Sequence, residues 1–184
     1  MQDPTSRLPE GTAQRVKVDL LAHVETALDH PLEKVWPYIL HWNLWVDEKD
    51  YVEHHVAGSH DTEGEVKRIT HFDETGRMDS SFFVTVIKIE PHKQLVYKIL
   101  SPSYVYDAVT GASTEVPLTG YEVFDLREEK RDQTIVTLDI FAESCPAGIS
   151  KDQVHGIAKD YRINTDKNWH GNYFPKLNKL LSNK

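Results

Sequence analysis

Hydrophobic and polar residues alternate through most of this chain, and a period of two predicts β-strands. Residues 15–28 place Val16, Val18, Leu20 and Val24 on one parity, which is typical of a strand with one buried face. The same pattern predicts strands at residues 51–57, 65–73, 80–90, 94–100, 121–128 and 134–143. Short turn sequences separate most of them, so neighbouring strands should pair as an antiparallel meander.

The connection between the fifth and sixth predicted strands, residues 101–120, is longer than the others. Its tyrosines, glycines and prolines indicate a loop. Long loops in compact domains are often functional, so this loop is a candidate lid or rim. A plain insertion explains it equally well.

Helical spacing appears in two regions. Leu32, Val35, Trp36 and Ile39 follow Pro31 at helical intervals and predict a short helix, and residues 41–47 predict a further helical turn. Residues 150–181 predict a single long helix. Pro175 should bend that helix between residues 171 and 175, because it lacks an N–H and crowds the preceding turn.

The long helix carries an apolar face that polar residues interrupt. Tyr161 and Trp169 share this face with Thr165, Asn168 and Asn172. Buried polar groups are costly without partners, so these side chains favour a helix that covers a wet pocket. The alternative is that both asparagines reach water at the edge of the helix.

The element order predicts an α+β fold with a seven-stranded curved antiparallel sheet. Two short helices follow the first strand, and the long C-terminal helix should lie across the sheet and enclose a cavity. We expect a disordered N-terminal tail at residues 1–14, without the apolar segment of a secretory signal, and a single domain at residues 15–184.

Composition excludes several functional classes. The net charge of −8 argues against nucleic-acid binding, and no apolar run approaches the roughly 20 residues that membrane insertion needs. Cys145 is the only cysteine, so no intrachain disulfide is possible and a reducing, cytoplasmic location is expected. Cys145-Pro146 is better explained as the end of a strand than as a nucleophile.

Three short motifs resemble the SRPBCC, or START-related, helix-grip superfamily. They are His-Pro-Leu-Glu-Lys-Val-Trp at residues 30–36, Gly-Glu-Val-Lys-Arg at residues 64–68 and Pro-His-Lys-Gln-Leu-Val-Tyr at residues 91–97. This superfamily includes START domains, the birch-pollen allergen, plant abscisic-acid receptors and bacterial polyketide aromatase/cyclases. The resemblance implies a small hydrophobic or aromatic ligand in the cavity, but the fold does not settle the function.

The resemblance also implies which side chains face the cavity. Matching the strands to the hormone receptors turns the following residues inward: Glu53, His55, Lys67, Ile69, His71, Tyr97, Ile99, Tyr121, Val123, Asp125, Thr137, Asp139 and Phe141. The alternation in the seventh strand gives the opposite answer, since Val136, Leu138 and Ile140 form its apolar parity. We follow the resemblance, although a slip of one residue inverts every face.

This interior is rich in ionisable groups and favours acid–base chemistry. Lys67, His71 and Asp139 are the candidate catalytic residues, since a base beside a carboxylate in a dry pocket can move protons. The candidate ligand-binding residues are Glu53, His55, Phe83, Tyr97, Tyr121, Phe141, Tyr161, Thr165, Asn168, Trp169 and Asn172. Each has an ordinary alternative, a surface lysine or a tyrosine at the edge of the core, for example.

We expect no cofactor and no metal. Combinations of His54 and His55 with His60 and Asp61, or of His41 with His55, could hold zinc, but no tight metal-binding motif is present. The sequence also lacks a phosphate-binding glycine loop.

The sequence therefore predicts a cyclase- or dehydratase-like enzyme, a lyase or isomerase, that acts on a small aromatic or polyketide-like molecule without a redox cofactor. The alternative is a non-catalytic carrier or sensor of a hydrophobic ligand with a polar head. A third possibility is a co-chaperone-type member that binds protein. The oligomeric state stays open.

Overall fold

The computed structural model describes residues 18–46, 51–72, 75–106, 113–143, 163 and 165–183. Seven strands form one antiparallel sheet in the order β1-β7-β6-β5-β4-β3-β2. The elements are β1 (Val18–Leu28), α1 (Leu32–Leu40), a 3-10 turn (Trp42–Leu44), β2 (Tyr51–Ala57), β3 (Val66–Phe72), β4 (Met78–Glu90), β5 (Gln94–Tyr106), β6 (Ser113–Lys130), β7 (Gln133–Glu143), a π-helical turn (Trp169–Tyr173) and α2 (Phe174–Ser182). The predicted tail at residues 1–14 lies outside the described residues.

The short helix α1 begins after Pro31, whose fixed φ suits the start of a helix. It buries Val35, Trp36 and Ile39 against the sheet and α2. The N–H of His41 still bonds the carbonyl of Pro37 at 3.0 Å, and the 3-10 turn follows directly. Both predicted helical segments of this region are therefore present.

The predicted loop at residues 101–120 is wrong over most of its length. Strands β5 and β6 continue through it as a long hairpin, and their register runs unbroken from Gln94↔Asp125 to Tyr106↔Ser113. A lid in this region would be confined to residues 107–112, which lie outside the described residues.

The two faces of the sheet carry separate apolar clusters. The larger cluster joins Val84, Phe124, Leu138 and Ile140 to the side chains of α1 and α2. The smaller one lies on the opposite face and contains Val18, Val96, Tyr121, Val123 and Phe141. The apolar parity of β7 is thus the one that packs against the helices.

The C-terminal helix runs from residue 165 to residue 182, with a π-helical turn inside it. The N–H of Phe174 bonds the carbonyl of Trp169, five residues earlier, directly before Pro175. The π-helical turn changes the hydrogen-bond pattern at this point, so the missing N–H of Pro175 does not interrupt a regular series of α-helical hydrogen bonds. The bend predicted between residues 171 and 175 stays a prediction, although a π-helical turn overlaps this segment; residues 150–162 of the predicted helix lie outside the described residues.

The π turn also decides which residues of the helix are buried. The buried positions are Thr165, Trp169, Phe174, Leu177 and Leu181. Their spacing of four, then five, then three and four shows where the extra residue enters the turn. No helix in the described part of the chain is long and apolar enough to cross a membrane.

Candidate functional site

A narrow cavity of about 30 Å³ lies between the sheet and the 3-10 turn. Strands β2 to β6 supply its wall, and the 3-10 turn covers it with one tryptophan. The lining residues are Trp42, Tyr51, Glu53, Lys67, Ile69, Phe82, Val84, Tyr97 and Glu122. Most of this wall is aromatic or aliphatic, so the three charged side chains define its chemistry.

Lys67 and Glu53 form an ion pair in the cavity wall. Glu53 on β2 is opposite Ile69 on β3, and Lys67 lies two residues before Ile69 on the same face. Lys67 Nζ is 2.8 Å from Glu53 Oε1, and the two side chains are only 5% and 14% exposed. A buried charge needs a partner, and this pairing lets both charges remain in the wall.

Two tyrosines beside this ion pair keep their protons. Burial, followed by the negative charge of Glu53, raises the pKa of Tyr51 and of Tyr97 well above the usual tyrosine value. Tyr51 donates a hydrogen bond to Glu53 Oε2 at 3.1 Å. The hydroxyl of Tyr97 lies 3.5 Å from the carbonyl of Leu40, so its proton is only weakly held there.

Glu122 is a further carboxyl group in the cavity wall. It lies on β6 directly opposite Tyr97 of β5. Among the described residues it has no hydrogen-bond or ion-pair partner, and burial raises its pKa to about 7. A carboxyl group with this pKa exchanges its proton close to neutral pH, which is the property that a general acid or base requires.

A second polar cluster lies beyond Lys67, at the turn between β2 and β3. Glu65 is 1% exposed, and its Oε2 lies 3.7 Å from Lys67 Nζ. Burial alone would raise the pKa of Glu65, but hydrogen bonds from His55 and from the Asp61 N–H, with the charge of Lys67, lower it below the usual value. Glu65 is therefore a buried carboxylate in its charged form.

The predicted inward parity holds for β2, β3 and β5 and fails for β6 and β7. Glu53, Lys67, Ile69 and Tyr97 line the cavity as expected. The other two strands present the opposite set of residues to it, because Glu122 is paired with Ile140 in the larger cluster. Displacing the alignment with the hormone receptors by one residue reverses which side chains of β6 and β7 face the cavity.

Several candidate site residues consequently lie away from the cavity. Tyr121 and Phe141 belong to the cluster on the opposite face, with Val123. Asp139 has the same parity as Phe141 and bonds His23 Nδ1 at 2.5 Å. Phe83 is 46% exposed, and its neighbour Phe82 lines the cavity instead.

The remaining candidates lie at the edge of the site or outside the described residues. The His71 ring stacks on Phe82 at 5.7 Å and meets the Tyr51 ring at 5.4 Å, so it supports two lining residues. Trp169 contacts Trp42 at 5.6 Å from the helix side, and Thr165 is buried one turn before it. Tyr161 lies outside the described residues.

The expectation that Asn168 and Asn172 face the pocket is wrong. Both are exposed, because the buried line of the helix passes through Thr165 and Trp169 and then moves to Phe174 across the π turn. The alternative, that both asparagines reach water, describes the structure.

The sequence interpretation missed Glu122, Glu65, Trp42 and Tyr51. A signal for Glu122 was present in the alternation of β7. Once Val136, Leu138 and Ile140 face the helices, antiparallel pairing brings Glu122, Phe124 and Leu126 to the same face. No comparable signal marks Glu65, because its burial depends on the turn that precedes it.

Comparison with solved structures shows the fold of the chain. Three similar structures are the crystal structure of Ara h 8.0201, a solution structure of a protein from Arthrobacter aurescens and the ZhuI aromatase/cyclase from Streptomyces sp. R1128. Their TM-scores are 0.59, 0.58 and 0.57 at 13%, 13% and 9% identity. The matches cover 91%, 88% and 90% of this chain and 99%, 86% and 94% of the respective neighbours.

These matches confirm the predicted helix-grip fold and the resemblance on which it was based. At such identities they show a shared fold alone. The sequence itself matches no family model and no curated protein at a significant level.

Proposed function

We propose that this protein is a cyclase- or dehydratase-like enzyme that acts on a small aromatic or polyketide-like molecule in the cavity between sheet and helices. The observation that carries the proposal is Glu122, a carboxyl group whose pKa burial raises to about 7, in a cavity whose wall also holds the cation of Lys67. Acid–base catalysis needs this combination of a proton acceptor and a site for developing negative charge.

Glu122 is the proton-transfer group in this proposal. With a pKa of about 7, both of its protonation states are populated at neutral pH. In a dehydration, its carboxylate takes a proton from the carbon next to a carbonyl, and the carbon–oxygen bond of a β-hydroxyl group breaks. The hydroxyl group receives that proton and leaves as water, so Glu122 returns to its carboxylate form.

Lys67 and Tyr97 stabilise the carbonyl oxygen as it gains negative charge. Lys67 has three N–H donors; Glu53 lies 2.8 Å away and Glu65 Oε2 3.7 Å away, so Lys67 contributes a hydrogen-bond donor rather than an unpaired positive charge. Tyr97 keeps its proton, because burial and the charge of Glu53 raise its pKa, and it can donate a hydrogen bond. Both act through hydrogen bonds, so this step needs no redox cofactor.

The size and walls of the cavity limit the substrate. The cavity volume of about 30 Å³ is well below the roughly 300–1,000 Å³ that is usual for ligand pockets, so the substrate must be small and its binding must widen the cavity. Trp42 and Phe82 offer flat surfaces for a planar molecule. One of the structural neighbours is an aromatase/cyclase, which supports this reaction class. The proposal places the protein in a reducing, cytoplasmic compartment, because the chain contains a single cysteine.

An aryl β-hydroxyketone tests the proposal, because its dehydration to a conjugated enone is followed by ultraviolet absorbance. We expect turnover above the buffer rate, rising with pH around 7 as Glu122 ionises. Glu122→Gln should lower the rate at least about 100-fold, at the low end of general acid–base contributions. The matched control is Glu128→Gln, the same change at an exposed position of the same strand. Equal turnover in wild type and Glu122→Gln would overturn the assignment.

A non-catalytic carrier or sensor of a hydrophobic ligand is the second candidate function. The mostly apolar wall with one ion pair favours it, because such a wall also suits a ligand with one polar head. Titration with the product enone, followed through tryptophan fluorescence, separates the two functions. Saturable binding that Lys67→Met weakens, with no turnover of the β-hydroxyketone, would favour the carrier.

A further inference from the structure

We propose that His55, His60 and Glu65 form a binding site for a divalent transition metal, with Zn²⁺ as the best match. Within the described part of the chain, these residues are the one group of three potential ligands whose ligand atoms lie within 4.8 Å of one another. The site lies at the turn between β2 and β3, next to the cavity, and it does not involve Glu122.

The distances among the ligand atoms suit a tetrahedral metal. His55 Nδ1 lies 3.1 Å from Glu65 Oε1, and His60 Nδ1 lies 3.2 Å from the same oxygen. Ligand atoms that each lie about 2.0–2.1 Å from Zn²⁺ in a tetrahedron are separated by about 3.3–3.4 Å. Two of the three edges therefore already have nearly the required length, before any metal draws the ligands together.

The other carboxylate oxygen of Glu65 is held by different groups. Glu65 Oε2 accepts a hydrogen bond from the Asp61 N–H at 2.9 Å and lies 3.7 Å from Lys67 Nζ. Oε1 is left to the two histidines. Contacts of this kind behind a ligand fix its orientation and increase metal affinity.

The backbone of the turn brings His60 back over His55. Gly58, Asp61 and Gly64 all have positive φ, so the chain reverses within seven residues. The Gly64 N–H bonds the carbonyl of Val86 at 2.8 Å, which anchors the end of the turn to β4. As a result the two imidazole rings lie 4.0 Å apart. His60 and Glu65 therefore come from a turn that hydrogen bonds fix in place, and His55 comes from the end of β2.

The type and exposure of the ligands indicate an open site. Two imidazoles and one carboxylate suit Zn²⁺ and related transition metals, whereas Mg²⁺ and Ca²⁺ prefer oxygen ligands alone. Three protein ligands leave the fourth tetrahedral position to water or to a ligand with an oxygen atom. The His60 side chain is 73% exposed and that of Glu65 only 2%, so a metal would enter from the His60 side.

Direct metal binding by the full-length protein tests this proposal. After treatment with a chelator and its removal, the protein is titrated with Zn²⁺ by calorimetry and with Co²⁺ by visible absorption. We expect one ion per chain, tetrahedral Co²⁺ bands that Zn²⁺ abolishes, and no competition from Mg²⁺. His60→Gln and His55→Gln should each weaken Zn²⁺ binding by more than the roughly 10- to 100-fold that follows loss of a group outside the coordination shell.

His54→Gln is the matched control, because His54 precedes His55 on β2 and is exposed on the other face of the strand. This variant should bind Zn²⁺ like the wild type. Equal losses in His54→Gln and His60→Gln would overturn the site and indicate adventitious surface binding. Absence of one-to-one binding to the wild type would leave only a hydrogen-bonded cluster at this turn. Neither result depends on turnover, so the site and the proposed enzyme can fail separately.

Discussion

Replacing Glu122 by glutamine should change how the stability of this protein depends on pH. Burial raises the pKa of this carboxyl group from 4.5 to about 7. The unfolded chain therefore loses the proton near pH 4.5, whereas the folded protein keeps it up to about pH 7. Between these values the folded state binds more protons, so the free energy of unfolding falls as the pH rises.

The pKa values give the size of this effect. A difference of about 2.5 pH units at 1.36 kcal/mol per unit gives about 3 kcal/mol. The loss is absent below pH 4.5 and complete above pH 7. Glutamine has the same shape and does not titrate, so Glu122→Gln should gain about 3 kcal/mol relative to wild type between pH 4.5 and pH 8.

Urea unfolding at several pH values measures this difference. Ten histidines also titrate over this range, so the informative quantity is the wild-type value minus the variant value at each pH. Glu128→Gln, at an exposed position of the same strand, controls for the loss of one negative charge. Parallel pH profiles for wild type and Glu122→Gln would refute the assignment of a raised pKa to Glu122.

Three other substitutions test the ion pair, the turn and the helix packing, each by urea unfolding. Lys67→Met should lower the free energy of unfolding by about 3–5 kcal/mol, because it leaves Glu53 charged and unpaired in the cavity wall. Adding Glu53→Leu should restore most of this stability, and a double variant without recovery would contradict the pairing. Gly58→Ala should lower the free energy of unfolding more than Gly64→Ala does. Both glycines have positive φ, but only at Gly58 would a Cβ lie 2.7 Å from a backbone oxygen. Equal losses of stability would argue against that contact. Trp169→Ala should lower the free energy of unfolding by about 3–5 kcal/mol, since its ring packs among five aromatic neighbours, and a change below about 1 kcal/mol would mean that the helix does not depend on it there.

The strand pattern of the sequence was sufficient to predict the element order. The exception is residues 101–120, which were predicted as a loop and form a hairpin over most of their length. Pro117 was among the residues that made residues 101–120 resemble a loop, yet it pairs directly with Pro102 in the hairpin. Along residues 101–106 and 113–118 the described strands pair only with one another. Prolines are tolerated at such an edge, because their missing N–H groups need not serve a further strand. Residue preference alone could not reveal this pairing.

The alternation of apolar residues was sufficient to predict which face of β6 and β7 packs against the helices. The family resemblance led to the opposite, wrong face. The apolar parity of β7 already placed Val136, Leu138 and Ile140 in the core. Pairing then fixes β6, since Glu122 is opposite Ile140. Side-chain alternation is a property of the strand itself, whereas an alignment at very low identity can slip by one residue without losing its motifs.

The raised pKa of Glu122 is the main support for the proposed catalytic role of the cavity. A carboxyl group with no partner among the described residues costs stability at neutral pH, and an apolar or amide side chain of similar size at position 122 would avoid this cost. The nearby Lys67 does not offset it, because Glu53 and Glu65 already surround that cation. In a structural ion pair each charge has a partner, whereas a site that transfers protons contains a group with both its protonated and its deprotonated form populated. The wall of this cavity contains an ion pair, Lys67–Glu53, and one carboxyl group with a raised pKa, Glu122, on which the proposed proton transfer depends.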